Sequence, residues 1–127
     1  MAVPTYEAMM RPTLEILANS DRQSFRQLAE LVADEMRISE PDRAISIDSG
    51  QAAYVNRVGW AVTYLVQAGA IRRPQRGVAE ITDRGRALLA SVAGPISNSD
   101  LIQYEEFQEF RKRSKRRTKS VDTTEEH

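Results

Sequence analysis

Asn56 and Arg57 stand side by side, and their side chains are the types that hydrogen-bond bidentately to the edges of adenine and guanine. A good pair of this kind gives about 1–3 kcal/mol of discrimination between bases. Gln51 offers a further amide nearer the start of the same segment, where helices that enter a DNA groove present their reading residues. Farther on, Arg72, Arg73, Gln75 and Arg76 crowd around Pro74, and guanidinium groups so placed can neutralise backbone phosphates. The chemistry on offer is recognition of a polyanion with readable edges, with no bond made or broken. Each residue also has a plainer reading. Arg57 equally suits an internal pair with Asp48 or another acid, Gln51 an ordinary surface position, and the arginines a hairpin facing water. Arg72 and Arg73 point to opposite faces if both lie in a strand, which leaves Arg76 at the tip as the most direct candidate.

Other chemistries lack their parts. The chain has no Cys, so disulfides, thiolate zinc sites and a Cys nucleophile are excluded, and its only histidine is the terminal His127. No metal, cofactor or catalytic residue is expected. Glu105, Glu106 and Glu109 have no neighbouring metal-ligand types and read as a solvated helix face. Trp60 and Tyr64, one turn apart, could stack on a base, but large aromatics more often bury, here against the first or the C-terminal helix.

The candidate residues need a helix and a hairpin to hold them. At 100° per residue, Val55, Val58, Val62, Leu65 and Val66 share one arc, and Asn56, Arg57, Trp60, Thr63, Tyr64 and Gln67 share the opposite one. Gly69 stands where a left-handed residue closes the helix. Ala70 to Arg73 and Val78 to Ile81 then read as two short strands joined by Pro74-Gln75-Arg76-Gly77, a proline and glycine turn. Thr82 is placed to cap a further helix, with Asp83 in its first turn. Helix, two strands and helix in this order are those of a winged helix-turn-helix.

Upstream, Tyr6, Met10, Leu14 and Leu17 mark a first helix, and Pro12 requires either a kink or a regular part that begins near it. Ser24 to Gln27 has capping-box spacing and opens a second helix through Phe25, Leu28, Ala29, Val32 and Met36. A short helix from Ser39 and a loop over Ser46 to Gly50 lead into the main segment. This connection is longer than the 3–4-residue turn of a bare helix-turn-helix. After Gly94-Pro95, Asn98-Ser99-Asp100 offers a cap for a helix bearing Leu101, Tyr104, Phe107 and Phe110. That helix runs into the basic stretch Arg111 to Lys119. The stretch is either a DNA-tracking extension or a soluble linker, and Ser120 to His127 should be disordered.

With 127 residues and 28% charged residues the chain suits one domain plus a tail. A net charge of zero hides segregation: residues 1–50 carry 9 acidic and 5 basic residues, whereas residues 51–86 carry 2 and 6. The positive field therefore lies on the helix and hairpin. No stretch approaches the roughly 20 apolar residues of a membrane span, and the start lacks a signal-peptide pattern. A cytoplasmic protein is expected, with no membrane partner.

Pro4-Thr5-Tyr6, Asn56-Arg57-Val58-Gly59-Trp60-Ala61 with Tyr64-Leu65 and Ala68-Gly69, Arg76-Gly77-Val78, Ile81-Thr82-Asp83-Arg84-Gly85 and Phe107-Gln108-Glu109-Phe110 succeed one another along the chain. In that order and spacing they resemble the N-terminal domain of Mrr-type restriction proteins, over roughly residues 3 to 113. The resemblance implies a winged-helix DNA-binding fold joined, in the family, to a restriction-endonuclease-like domain acting on modified DNA. Such nucleases carry an Asp/Glu-x-Lys element. Here Lys112, Lys115 and Lys119 are preceded two positions earlier by Phe110, Arg113 and Arg117, so that element is absent and nuclease activity is not carried over.

The resulting expectation is a mainly α protein with a small β-hairpin (α+β): a winged helix-turn-helix with an additional C-terminal helix and a basic tail. Residues 1–95 would form the DNA-binding domain, and 96–113 a helix packing on it or on a dimer mate. Residues 111–127 would form a basic, then acidic, disordered tail. The expected partner is double-stranded DNA, with methylated DNA an open alternative, alongside a nuclease domain. A homodimer through the C-terminal helix, in which Phe107 or Phe110 enters a second copy, remains a further alternative. The competing function is a winged-helix scaffold for protein–protein contact, without DNA.

Overall fold

The first helix must accommodate Pro12, and it does so by beginning late. In a computed structural model, which describes the backbone of residues 3–121 and side chains up to residue 114, α1 spans Met10–Ser20 and Pro12 falls in its first turn. A missing N–H is tolerated there because first-turn amides have no partner within the helix. A separate turn over residues 6–9 precedes it, with Thr5 Oγ1 accepting from Ala8 N at 3.2 Å.

Strand β1 (Arg22–Ser24) leads directly into α2 (Phe25–Glu35), where Ser24 Oγ accepts from Gln27 N at 3.1 Å as the capping pattern predicts. The four-residue α3 (Glu40–Arg43) is capped by Ser39, and α4 (Ala53–Gln67) is the long helix of the candidate segment. It ends as expected, with Gly69 left-handed at φ +82°. Strands β2 (Ile71–Arg72) and β3 (Val78–Ile81) flank the turn, and α5 (Asp83–Ser91) begins at Thr82, whose hydroxyl accepts from Gly85 N.

The core is built where α1, α2 and α4 cross. Leu14 and Leu17 of α1, Leu28 and Val32 of α2, and Val58, Val62 and Leu65 of α4 are essentially solvent-free, joined by Ile71, Ile81 and Leu88. On the approximate scale of 1.5–3 kcal/mol per fully buried large aliphatic side chain, this cluster is the main stabilising element. The buried arc of α4 also takes in Tyr54 and Ala61, while Val55 and Val66 are only half-buried at its edge.

Residue patterning predicts a two-stranded hairpin, and the structure has three strands in the order β1-β3-β2, all antiparallel. Arg22-Gln23-Ser24 has no apolar alternation to announce a strand. It is extended because the backbone of β3 pairs with it, Gln23 lying opposite Ala79. Strand β2 is also shorter than the Ala70 to Arg73 stretch.

The C-terminal part differs in its caps. Ser97, rather than Asn98, Ser99 or Asp100, caps α6 (Asn98–Leu101), its backbone N donating to Asp100 Oδ2 at 2.9 Å. The chain then breaks before α7 (Glu105–Val121). Helix α7 continues through most of the stretch expected as tail, consistent with the helix propensity of Lys and Arg and an i,i+3 contact from Lys112 to Glu109. Asp122 to His127 lie outside the described residues. Among the described residues, no helix is long and apolar enough to cross a membrane.

Candidate nucleic-acid interface

Helix α4 and the β2–β3 wing flank an open cleft of about 460 Å³. Phe25, Val55, Val62, Val78 and Ala79 contribute apolar lining, and Gln51, Asn56, Thr63 and Arg73 contribute polar groups. The wing is fixed at its base by main-chain atoms: Phe25 N donates to the Gly77 carbonyl at 2.7 Å, and Ile81 N to that of Asp21 at 3.0 Å. Gly77 takes φ +73°, a conformation that lets the turn close back onto β3.

Three of the sequence candidates meet at this cleft. Gln51 is exposed just ahead of α4, and its Oε1 accepts from Asn56 Nδ2 at 3.3 Å, so the two amides lie together. Arg73 projects from the wing with Nη2 3.4 Å from Thr63 Oγ1, bridging wing and helix. Gln75 and Arg76 are exposed in the turn, and Arg76 has no ion pair among the described residues.

Two candidates lie elsewhere. Arg57 is half-buried on another face of α4, where Nη1 reaches the carbonyls of Pro4 at 3.3 Å and Val3 at 3.5 Å. The plainer reading of Arg57, an internal pair with Asp48 or another acid, gives way to contacts with backbone carbonyls. Arg72 is not among the residues lining the cleft and lies 3.1 Å from Glu80, whose Oε1 also accepts from Arg22 Nη2 at 3.3 Å. One carboxylate thus sits between two exposed guanidinium groups, and such pairs contribute little to stability.

Thr63, Phe25 and Trp60 also line the cleft, although none of them was an expected contact. Thr63 is visible on the polar arc of α4, whereas Phe25 gives no signal because β1 sets its place. Trp60 is 40% exposed and lies edge-on to Tyr64, with ring centroids 6.2 Å apart. Tyr64 is enclosed by Tyr6 at 4.9 Å, Phe110 at 5.3 Å and Phe107 at 5.8 Å, and this burial raises its phenol pKa above the ordinary value. Phe107 is completely buried within the single chain and Phe110 half-buried against it. Phe107 therefore has no surface left for the alternative of entering a second copy, whereas Phe110 keeps part of its ring exposed.

A helical core carrying a three-stranded sheet, with a long helix laid beside the β2–β3 turn, defines the winged-helix class. Within it the chain belongs to the Mrr N-terminal domain family, whose pattern it matches over residues 6–91. It is similar to the type IV methyl-directed restriction enzyme EcoKMrr of Escherichia coli strain K12, at 35% identity over 101 residues. That alignment takes in 79% of this chain and 33% of the relative, so the chain spans about a third of that enzyme's length. No solved structure matches.

Proposed function

We propose that this chain is the duplex-DNA-reading module of a restriction-system protein, with α4 entering the major groove and the wing lying on phosphates, and that it performs no catalysis itself. The observation carrying this reading is the cleft between α4 and wing, where Gln51 and Asn56 present paired amides beside Arg73, with Arg76 exposed at the tip. Amides of this type suit adenine edges, and the arginines suit phosphates. Arg72 joins them once Glu80 is shared with Arg22 alone. Arg57 is withdrawn from the contact set because backbone carbonyls engage it. Thr63 and Trp60 take its place on the outward strip of α4.

The relative is named as methyl-directed, which supports methylated DNA as the target. A methyl on a base edge projects into the major groove, where the apolar lining beside Trp60 would meet it. The catalytic partner would be a nuclease domain, and residues 96–113 would complete the module by packing on it. A cytoplasmic location follows from a DNA target in a bacterium.

Fluorescence anisotropy with methylated and unmethylated duplexes over a salt series tests the reading. Salt-sensitive binding that Arg73→Ala/Arg76→Ala largely removes is the expected result. Absence of binding at low salt would overturn it in favour of a protein-contact scaffold.

A further inference from the structure

Helix α7 begins beside the C-terminal end of α4 and packs back against Tyr64, as the order of contacts shows. Arg84 donates from Nη1 to the Ala68 carbonyl at 2.9 Å and to Glu106 Oε1 at 3.0 Å, and stacks 4.5 Å from the Tyr104 ring centroid. The start of α7 therefore sits at the C-terminal end of α4. Phe107 and Phe110 then lie against Tyr64, one turn back toward the start of α4. At 1.5 Å per residue, Arg111 to Arg113 come about 2–5 Å farther along α7 than Phe110, close to the level of Tyr64.

The side on which α7 lies is equally defined. Asn56, Trp60, Thr63 and Gln67 form the outward strip of α4 at helical spacing. Val55 and Gly59 flank it on the side of the wing cleft, and Tyr64 flanks it on the side covered by α7. The strip is bordered by the wing on one edge and, on the other, by α7 at Tyr64 and by residues 3–6 at Arg57 and Tyr64.

Charge is graded along α7 in the same sense. Glu105, Glu106 and Glu109 occupy its first half, beside Arg84, and Arg111, Lys112 and Arg113 follow, all exposed. Arg111 lies 5.7 Å from the Phe107 ring centroid, Lys112 is 3.9 Å from Glu109, and Arg113 makes no ion pair among the described residues. A helix lying in the major groove has a phosphate strand on each side.

We infer that the Arg111–Arg113 segment of α7 is a second phosphate-binding arm, gripping the DNA strand opposite the one held by the wing. This inference rests on the DNA-reading function proposed above. It gives α7 a binding role, beyond that of a spacer to a following domain.

Salt titrations of duplex binding test it with four proteins: the parent, Arg73→Ala/Arg76→Ala, Arg111→Ala/Lys112→Ala/Arg113→Ala, and Glu105→Lys. The arm variant should bind more weakly, with a slope of log K against log salt shallower by about 0.9 for each phosphate it no longer neutralises. Its far-ultraviolet circular dichroism should match the parent and its melting should fall only slightly, since the three exposed side chains give up no more than the Phe107 ring contact and the Glu109 pair. Glu105→Lys adds charge at the far end of the same helix and should leave the slope unchanged. An arm variant with the parent's slope and affinity, beside a wing variant that has lost both, would overturn the arm and leave the DNA-reading function standing. A slope steepened by Glu105→Lys as much per charge as the arm variant flattens it would reduce the effect to net charge and also overturn the arm. A parent that binds no duplex at low salt would overturn both proposals.

Discussion

Arg84 and Glu106 meet at 3.0 Å, and the arginine nitrogen that binds the carboxylate also holds the Ala68 carbonyl at the end of α4. One side chain from α5 thereby ties the start of α7 to the end of α4. Arg84→Ala removes the ion pair, the carbonyl bond and the stacking on Tyr104 together. A loss of roughly 1–3 kcal/mol is expected in urea unfolding. Arg84→Lys should recover only part of it, because a lysine cannot serve the three contacts with a planar fork. Equal stability of Arg84→Ala and parent would remove Arg84 as a tie.

Docking of α7 should also depend on acidity. The Glu106 carboxyl is held below its ordinary value by its own backbone N–H in the first turn of α7 and, secondarily, by Arg84. A carboxylate with a depressed pKa contributes stability that is fully present above its unfolded value and is lost as pH falls through its folded value. Trp60 is the only tryptophan and touches Tyr64, which α7 covers, so its fluorescence reports this docking. The signal should hold at neutral pH and change below the usual carboxylate range, with Glu106→Gln already shifted at neutral pH. A flat Glu106→Gln difference across the whole range would contradict this.

Gly85 is buried where α5 passes the start of β2. A Cβ there would meet the Ala70 carbonyl oxygen at 2.3 Å and Ile81 Cγ1 at 2.8 Å. Backbone cannot step aside as a flexible side chain can. Gly85→Ala should therefore destabilise by at least about 2 kcal/mol, despite the better helix propensity of alanine. A melting temperature equal to or above the parent's would show that the contact relaxes.

Thr82 serves twice, accepting from Gly85 N at 3.1 Å and donating to the Gly69 carbonyl at 2.7 Å. Thr82→Ala should cost about 1–2 kcal/mol, and Thr82→Ser, which keeps the hydroxyl, considerably less. Chemical denaturation of the two variants separates the hydroxyl's contribution from that of the methyl.

Glu80 shares its carboxylate between Arg22 and Arg72. If the wing reads phosphates, Glu80→Gln removes a like charge from the interface and frees a guanidinium. Duplex affinity should rise several-fold at low salt and the gain should fade as salt screens it. Unchanged or weaker binding would mean that Arg72 faces no phosphate.

The parts of this fold announced by local chemistry were legible in the sequence. Ser24, Thr82 and Gly69 each have a backbone partner or conformation that their residue type dictates, so the ends of α2, α4 and α5 were predictable. Strand β1 was not, because Arg22-Gln23-Ser24 is extended only through pairing with β3, a non-local cause. The direction of Arg57 was hidden for a related reason: its partners are carbonyls more than fifty residues away, and carbonyls carry no residue identity to read. Conversely, Gln51, Asn56 and Arg73 reach one cleft because helical spacing and the turn jointly constrain them.

The wing is anchored by amides and carbonyls, from Phe25 to Gly77 and from Ile81 to Asp21, and backbone atoms are the same whatever side chain they bear. Selection can therefore rewrite Pro74 to Arg76 with little penalty to folding, while the base of the loop stays in register. What the loop tip presents and whether the chain folds are in this way placed on separate genetic dials. A lineage could turn the first without disturbing the second.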